Sequence, residues 1–224
     1  SAAVCVASVG GVSFRFFATH LNHLRESTRV KQVRKLRAAV GKMGGPCLIA
    51  GDFNSLRMAD YGQRERDAIV RSRERGRVEE ARGEVMAEID AAGWIDLARL
   101  YDAGNSLADY AANLASPIPR SLSVTTPYGT RVDYAFATRD LAEAVEVRRF
   151  EVAECDASDH RPILLEIQPK SATRRSGKRA ARARPRRAAA TADDDDAPGL
   201  YHGTCRASAD ALLKSGWEPR SGAR

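Results

Sequence analysis

Leu48-Ile49-Ala50-Gly51-Asp52-Phe53-Asn54 runs three apolar residues into a glycine and then a carboxylate and a carboxamide around one phenylalanine. The apolar half, from Pro46 to Ala50, reads as a short buried strand, and the polar half falls where a loop begins and functional groups are displayed. Working outward, three further stretches have the same layout. They are Thr19-His20-Leu21-Asn22, Arg131-Val132-Asp133-Tyr134 and Ser158-Asp159-His160-Arg161-Pro162. Each alone has a bland explanation. His20 can be a satisfied structural histidine, and Gly51-Asp52-Phe53-Asn54 a simple turn, because Asp and Asn bond their own backbone. Asp133 can pair with a nearby arginine, and Asp159-His160 can cap a turn.

The segments between them alternate in period. Residues 3–7 and 13–19 read as strands joined at Gly10-Gly11, a pair that permits a tight hairpin turn. Residues 28–43 read as a helix, with Ser27 or Thr28 at its start, Val30, Val33, Leu36 and Val40 as its apolar stripe, and Gly41 at its end. Residues 63–92 read as one highly charged helix, solvated in its first half and striped by Val78, Ala81, Val85, Ile89 and Ala92 in its second. Strands are expected over 131–137, 145–153 and 162–167, with Pro162 at the tolerated first position. Such alternation implies a layered α/β or α+β sandwich.

Net charge is +7, but its location matters more than its size. Residues 1–168 hold 23 basic and 23 acidic residues, whereas residues 170–187 hold nine basic residues and no acid. The basic balance therefore describes a tail and argues for no basic groove in the folded body. No apolar run reaches 18 residues, so no membrane span is expected, and the residues after Ser1 lack a charged-then-apolar signal pattern, so secretion gets no support. The four cysteines lack metal-type spacing and are expected to be reduced core thiols of an intracellular protein.

Taken together and in order, the four stretches resemble the last motifs of the endonuclease/exonuclease/phosphatase superfamily, which has a deoxyribonuclease I-like fold. The resemblance covers roughly residues 3–168 and is carried by 48–54, Arg131-Val132-Asp133-Tyr134-Ala135-Phe136 and Ser158-Asp159-His160-Arg161-Pro162-Ile163. It implies a phosphoesterase using Mg2+ or Mn2+, because a hard cation prefers oxygen ligands and can neutralise charge on a phosphate. The implied roles are specific. Asp52 orients or deprotonates the attacking water, and Asn54 holds a phosphate oxygen. Asp133 buttresses His160, which contacts the scissile phosphate as base or as cation. His20 contacts the phosphate or protonates the leaving group. Asn22 contacts substrate, and Asp159 binds the metal. The implied partner is nucleic acid or another phosphodiester. Phosphoinositide or sphingomyelin hydrolysis and a catalytically inactive scaffold stay open as alternatives.

The resemblance also implies what is missing. An early Asn and a metal-binding Glu, supplied in the family by an N-terminal half, have no counterpart, so residues 1–168 are expected to be the C-terminal half of a domain. A sheet lacking its partner leaves an apolar face in water. At roughly 25 cal/mol per Å², against a net stability of about 5–15 kcal/mol, such a fragment is expected to be marginal, oligomeric or insoluble, and a poor metal binder. Residues 169–198, Arg- and Ala-rich and then carrying four aspartates at 193–196, are expected to be a disordered linker. Lys178–Arg187 there reads as a nuclear-import signal, a nonspecific nucleic-acid arm or a plain solvated run. Residues 199–224 form a stub. Its Tyr201-His202-Gly203-Thr204 is similar to the opening of ADP-ribosyltransferase-like domains, but is too short for a complete NAD site.

Overall fold

The computed structural model describes residues 2–155, 157–170 and 200–202. Expectations for the rest of the linker and stub lie outside them. Strands β1 (Ala2–Val9) and β2 (Val12–His20) form an antiparallel hairpin. Gly10 and Gly11 turn it with positive φ values of 50° and 84°, the geometry that matches strand twist in a two-residue turn. Helix α1 (Glu26–Met43) then returns the chain so that β3 (Cys47–Asp52) can pair parallel to β2. Val30, Val33, Leu36 and Val40 of α1 are buried, as their spacing predicts, but its C-cap is Gly44 rather than Gly41 and no Ser or Thr side chain caps its start.

Residues 63–92 are not one helix. Helix α2 (Gln63–Arg75) stops at Gly76, and α3 (Glu84–Ala91) restarts after Gly83, which sits at φ 72°. The solvated first half is as expected, since α2 buries nothing, and Val85 and Ile89 of α3 enter the core with Met86; but Val78 and Ala81 of the expected stripe fall between the helices, and Val78 is exposed, because the chain leaves the helix at Gly76. The chain continues through β4 (Ile95–Asp96), α4 (Leu97–Asp102), α5 (Leu107–Ala112) and a single turn α6 (Arg120–Ser123) into β5 (Asp133–Ala137). After α7 (Arg139–Ala144), β6 (Val145–Val152) and β7 (Ile163–Pro169) pair antiparallel, and β8 (Leu200–His202) adds to β7.

The strand order is β1-β2-β3-β5-β4 in one sheet and β6-β7-β8 in the other. Alternation along each strand sorts side chains to opposite faces. Phe14, Leu48, Ala135 and Ala137 pack with Val147, Phe150, Ile163 and Leu165 of the second sheet and with Leu97 and Leu100 of α4. Phe17, Ile49, Tyr134 and Phe136 pack on the other face against α1 and α3. The expected open face is therefore corrected over β2, β3 and β5, because residues 145–169 supply a second sheet. Strand β1 is an edge strand without charges, and its Val6, on the helix-side face with Phe17, is 77% exposed. Of the thiols, Cys47 is buried and free as expected, whereas Cys5 is free but exposed and Cys155 is disulfide-bonded, which corrects the expectation of reduced core thiols.

Candidate active site

Three neighbouring strands bring their polar ends into one row. His20 of β2 and Asp52 of β3 are register partners, and Asp52 is in turn the partner of Asp133 at the start of antiparallel β5. Since β2 and β3 run parallel and β5 runs against them, C-terminal and N-terminal strand ends meet at one edge. Gly51 permits the close approach. Its φ is 143°, and a Cβ there would lie 1.8 Å from the Thr19 carbonyl oxygen of β2.

Within the row, His20 Nε2 stands 3.3 Å from Asp52 Oδ2, with the imidazole side chain 70% exposed and the carboxylate nearly covered. The backbone N–H of Asn54 donates to Asp52 Oδ1 (2.7 Å). The Asn54 carboxamide donates to Asp52 Oδ2 (2.9 Å) and to the Leu21 carbonyl (3.0 Å). Both of its amide hydrogens are thus engaged, and Asn54, held at φ 49°, braces Asp52 instead of presenting a free donor to a phosphate oxygen. Burial raises the Asp52 proton affinity above the ordinary carboxylate range. The Asn54 backbone N–H opposes the rise, Asp133 adds to it, and His160 and His20 oppose it.

His160 joins the row from the loop before β7. Its Nδ1 donates to Asp133 Oδ2 at 2.8 Å, which fixes the tautomer because a carboxylate oxygen can only accept. Partial burial opposes its charge, but Asp133, by attraction and by hydrogen bond, and then Asp52 and Asp159 hold the imidazole above its usual range. Asp133 is 1% exposed, and its Oδ1 has no hydrogen-bond partner.

Two expected residues bond outside this row. Asn22 Oδ1 accepts from the Leu24 and Arg25 N–H groups (3.0 Å each), so the side chain closes the turn before α1. Asp159 is exposed, and its carboxylate meets the Ser158 hydroxyl at 3.5 Å. Among the described residues, no group of three His, Cys, Asp or Glu side chains converges to hold a metal. The expected Mg2+ or Mn2+ site is not completed by these residues.

Sequence reading missed the support beneath the row. Arg131, fully buried, pairs not with Asp133 but with Asp96 (2.7 and 2.9 Å) and Asp60 (3.2 Å). Arg99 also grips Asp60. The Arg131 guanidinium lies 4.3 Å above the Tyr134 ring, and its backbone N–H donates to the Tyr61 hydroxyl (2.7 Å). Burial works against the Asp96 charge, yet Arg131 keeps its pKa low. Burial pushes the Tyr61 hydroxyl up to about 12. These links anchor the 53–61 loop that follows Asp52. Nothing in the sequence spacing ties Asp60 and Asp96 to Arg131.

The two-layer α/β arrangement is a deoxyribonuclease I-like fold. Residues 5–160 match the Endonuclease/Exonuclease/phosphatase family, and the chain belongs to it. Members of that family hydrolyse phosphate esters. Among solved structures, the chain is similar to the endonuclease domain of TRAS1, a telomere-specific non-LTR retrotransposon (16% identity, TM-score 0.51, 76% of this chain and 63% of that one). It is also similar to the human Nocturnin catalytic domain with bound sulfate (15% identity, TM-score 0.44, 75% and 52%). A third is a Bacteroides thetaiotaomicron mannosyl-6-phosphatase (17% identity, TM-score 0.40, 70% and 52%). The chain spans less than two thirds of the length of each. No curated protein matches it.

Proposed function

We propose that this chain carries the phosphodiester-hydrolysing site of a nuclease. The observation that supports the reading best is the His20–Asp52–Asp133 row with His160 held on Asp133. Phosphodiester hydrolysis needs a base for water, positive charge at the nonbridging oxygens and a proton for the leaving oxygen. Asp52, with its raised proton affinity, takes the water proton as the new P–O bond forms. His160, held toward its charged form by Asp133, stabilises the phosphorane-like transition state. His20, at the exposed rim, gives a proton to the oxygen whose bond to phosphorus breaks. Nucleic acid as the substrate is supported by the nine basic residues within 170–187 and by Tyr128, 86% exposed at the tip of the 126–130 turn, whose ring offers a stacking face. A divalent cation belongs to the reading as the family's usual cofactor, with Asp159 as the residue assigned to it. Among the described residues, no helix is long and apolar enough to cross a membrane.

A second reading, a catalytically inactive scaffold, is favoured by the lack of a converging metal-ligand set among the described residues. One experiment separates the two. The full chain, with Mg2+ or Mn2+ added, is assayed against plasmid DNA, single-stranded RNA and a phosphoinositide. Cleavage of a nucleic acid that Asp52→Ala abolishes supports the nuclease. Cleavage of the phosphoinositide alone changes the substrate, and inactivity on all three favours the scaffold.

A further inference from the structure

Thr125 is fully buried in the irregular segment before β5, and its polar atoms bond backbone groups beside both members of the Asp133–His160 dyad and in the 126–130 turn. Its Oγ1 accepts from the N–H groups of Val132 (3.1 Å) and Asp133 (3.3 Å). Its carbonyl accepts from the Arg161 N–H at 2.8 Å, and its own N–H donates to the Thr130 carbonyl at 3.0 Å. With the His160–Asp133 bond, these contacts close a circuit. Thr125 holds the Asp133 backbone, the Asp133 carboxylate holds His160, and the residue after His160 is tied back to Thr125.

The circuit matters because His160 arrives on a loop without helix or strand, whereas Asp133 opens a strand. A side-chain bond between a loop and a strand is only as well placed as the backbones carrying it. Hydrogen bonds shared through one buried residue set that separation before substrate arrives. We propose that Thr125 is a positioning residue that registers the His160 loop against Asp133, and that its hydroxyl is needed for the dyad's hydrogen bond. Thr126 provides an internal control: its hydroxyl meets that of Thr130 (2.8 Å) and touches neither member of the dyad.

The test reads the dyad directly. In the full chain, the His160 Nδ1–H proton, hydrogen-bonded to a carboxylate, gives a far-downfield proton resonance, assigned by its loss in His160→Gln. Thr125→Val is expected to remove or broaden it, Thr125→Ser to restore it, and Thr126→Val to leave it in place. Should Thr125→Val fail to fold, Thr125→Cys, whose thiol is a weaker acceptor, carries the same comparison. A folded Thr125→Val or Thr125→Cys with the resonance unmoved overturns the inference. The kinetic arm rests on the proposed function. There, Thr125→Val lowers kcat roughly 10- to 100-fold with little change in KM. An inactive wild-type chain that shows the resonance, and loses it in Thr125→Val, removes the proposed activity and leaves the positioning role standing.

Discussion

Asp52 and Asp133 are register partners on adjacent antiparallel strands, yet each carboxylate is turned to a different histidine. Asp133 bonds His160 at 2.8 Å, and Asp52 meets the exposed His20 at 3.3 Å. Two carboxylates set side by side under cover make each other's charge costlier, and the histidines offset part of that cost. In the proposed mechanism this arrangement divides the work: one carboxylate orients an imidazole and the other takes a proton.

The first prediction follows from the raised Asp52 proton affinity. A group whose folded pKa lies above its unfolded value contributes stability that is present below the unfolded value, here 3.8, and lost as pH rises through the folded one. The ionised carboxylate is therefore a cost at neutral pH. Asp52→Asn should raise stability at pH 7 by up to about 1 kcal/mol, with the gain shrinking toward pH 4, while hydrolysis falls on the order of 10²-fold. Urea melts across pH 4–8 check the sign. His160 acts in the same direction, its contribution fading as pH rises from 6.5 through its raised value.

Gly51 gives the second. A methyl group at Gly51 would fall 1.8 Å from the Thr19 carbonyl oxygen, which is backbone and cannot swing aside. Gly51→Ala should cost roughly 3 kcal/mol or more in a denaturant melt, and its loss should exceed that of Gly11→Ala, where a Cβ meets nothing within 4 Å.

How much of this was legible beforehand depends on the kind of contact. Apolar periodicity located β2, β3, α1 and β6, because burying alternate or every third-to-fourth residue leaves its mark in the sequence. The residues of the row were legible as motifs at strand ends. The break between α2 and α3 was hidden because charged residues continue across Gly76 and Gly83. The short elements β4, α4 and α5 have too few residues for a period to emerge. The link of Arg131 to Asp60 and Asp96 was illegible, since long-range ion pairs obey no spacing rule, and the Thr125 hydroxyl accepts from backbone N–H groups, which leave no mark on residue type.

That buried ionic cluster supplies the third prediction. Arg131→Met leaves Asp96 without its bidentate partner inside the core. A cost of about 3–5 kcal/mol is expected. Adding Asp96→Leu to Arg131→Met should recover part of it, because the uncompensated charge is then gone. Urea denaturation of the two variants provides the comparison.

Tyr128 gives the fourth. If the exposed ring stacks on a base, Tyr128→Ala should weaken binding of a single-stranded oligonucleotide by about 1–3 kcal/mol without altering thermal stability. Fluorescence anisotropy reads the first quantity and a thermal melt the second; equal affinity for both proteins would dismiss the stacking role.

The unity of the row is best tested by a double-mutant cycle on kcat/KM for nucleic-acid cleavage, using Asp52→Asn, His160→Ala and the pair. Residues that act on one phosphate as a unit are grossly non-additive, so the double variant should be no slower than the worse single one. Full additivity, or cleavage undiminished by either substitution, would contradict a shared hydrolytic site at these strand ends.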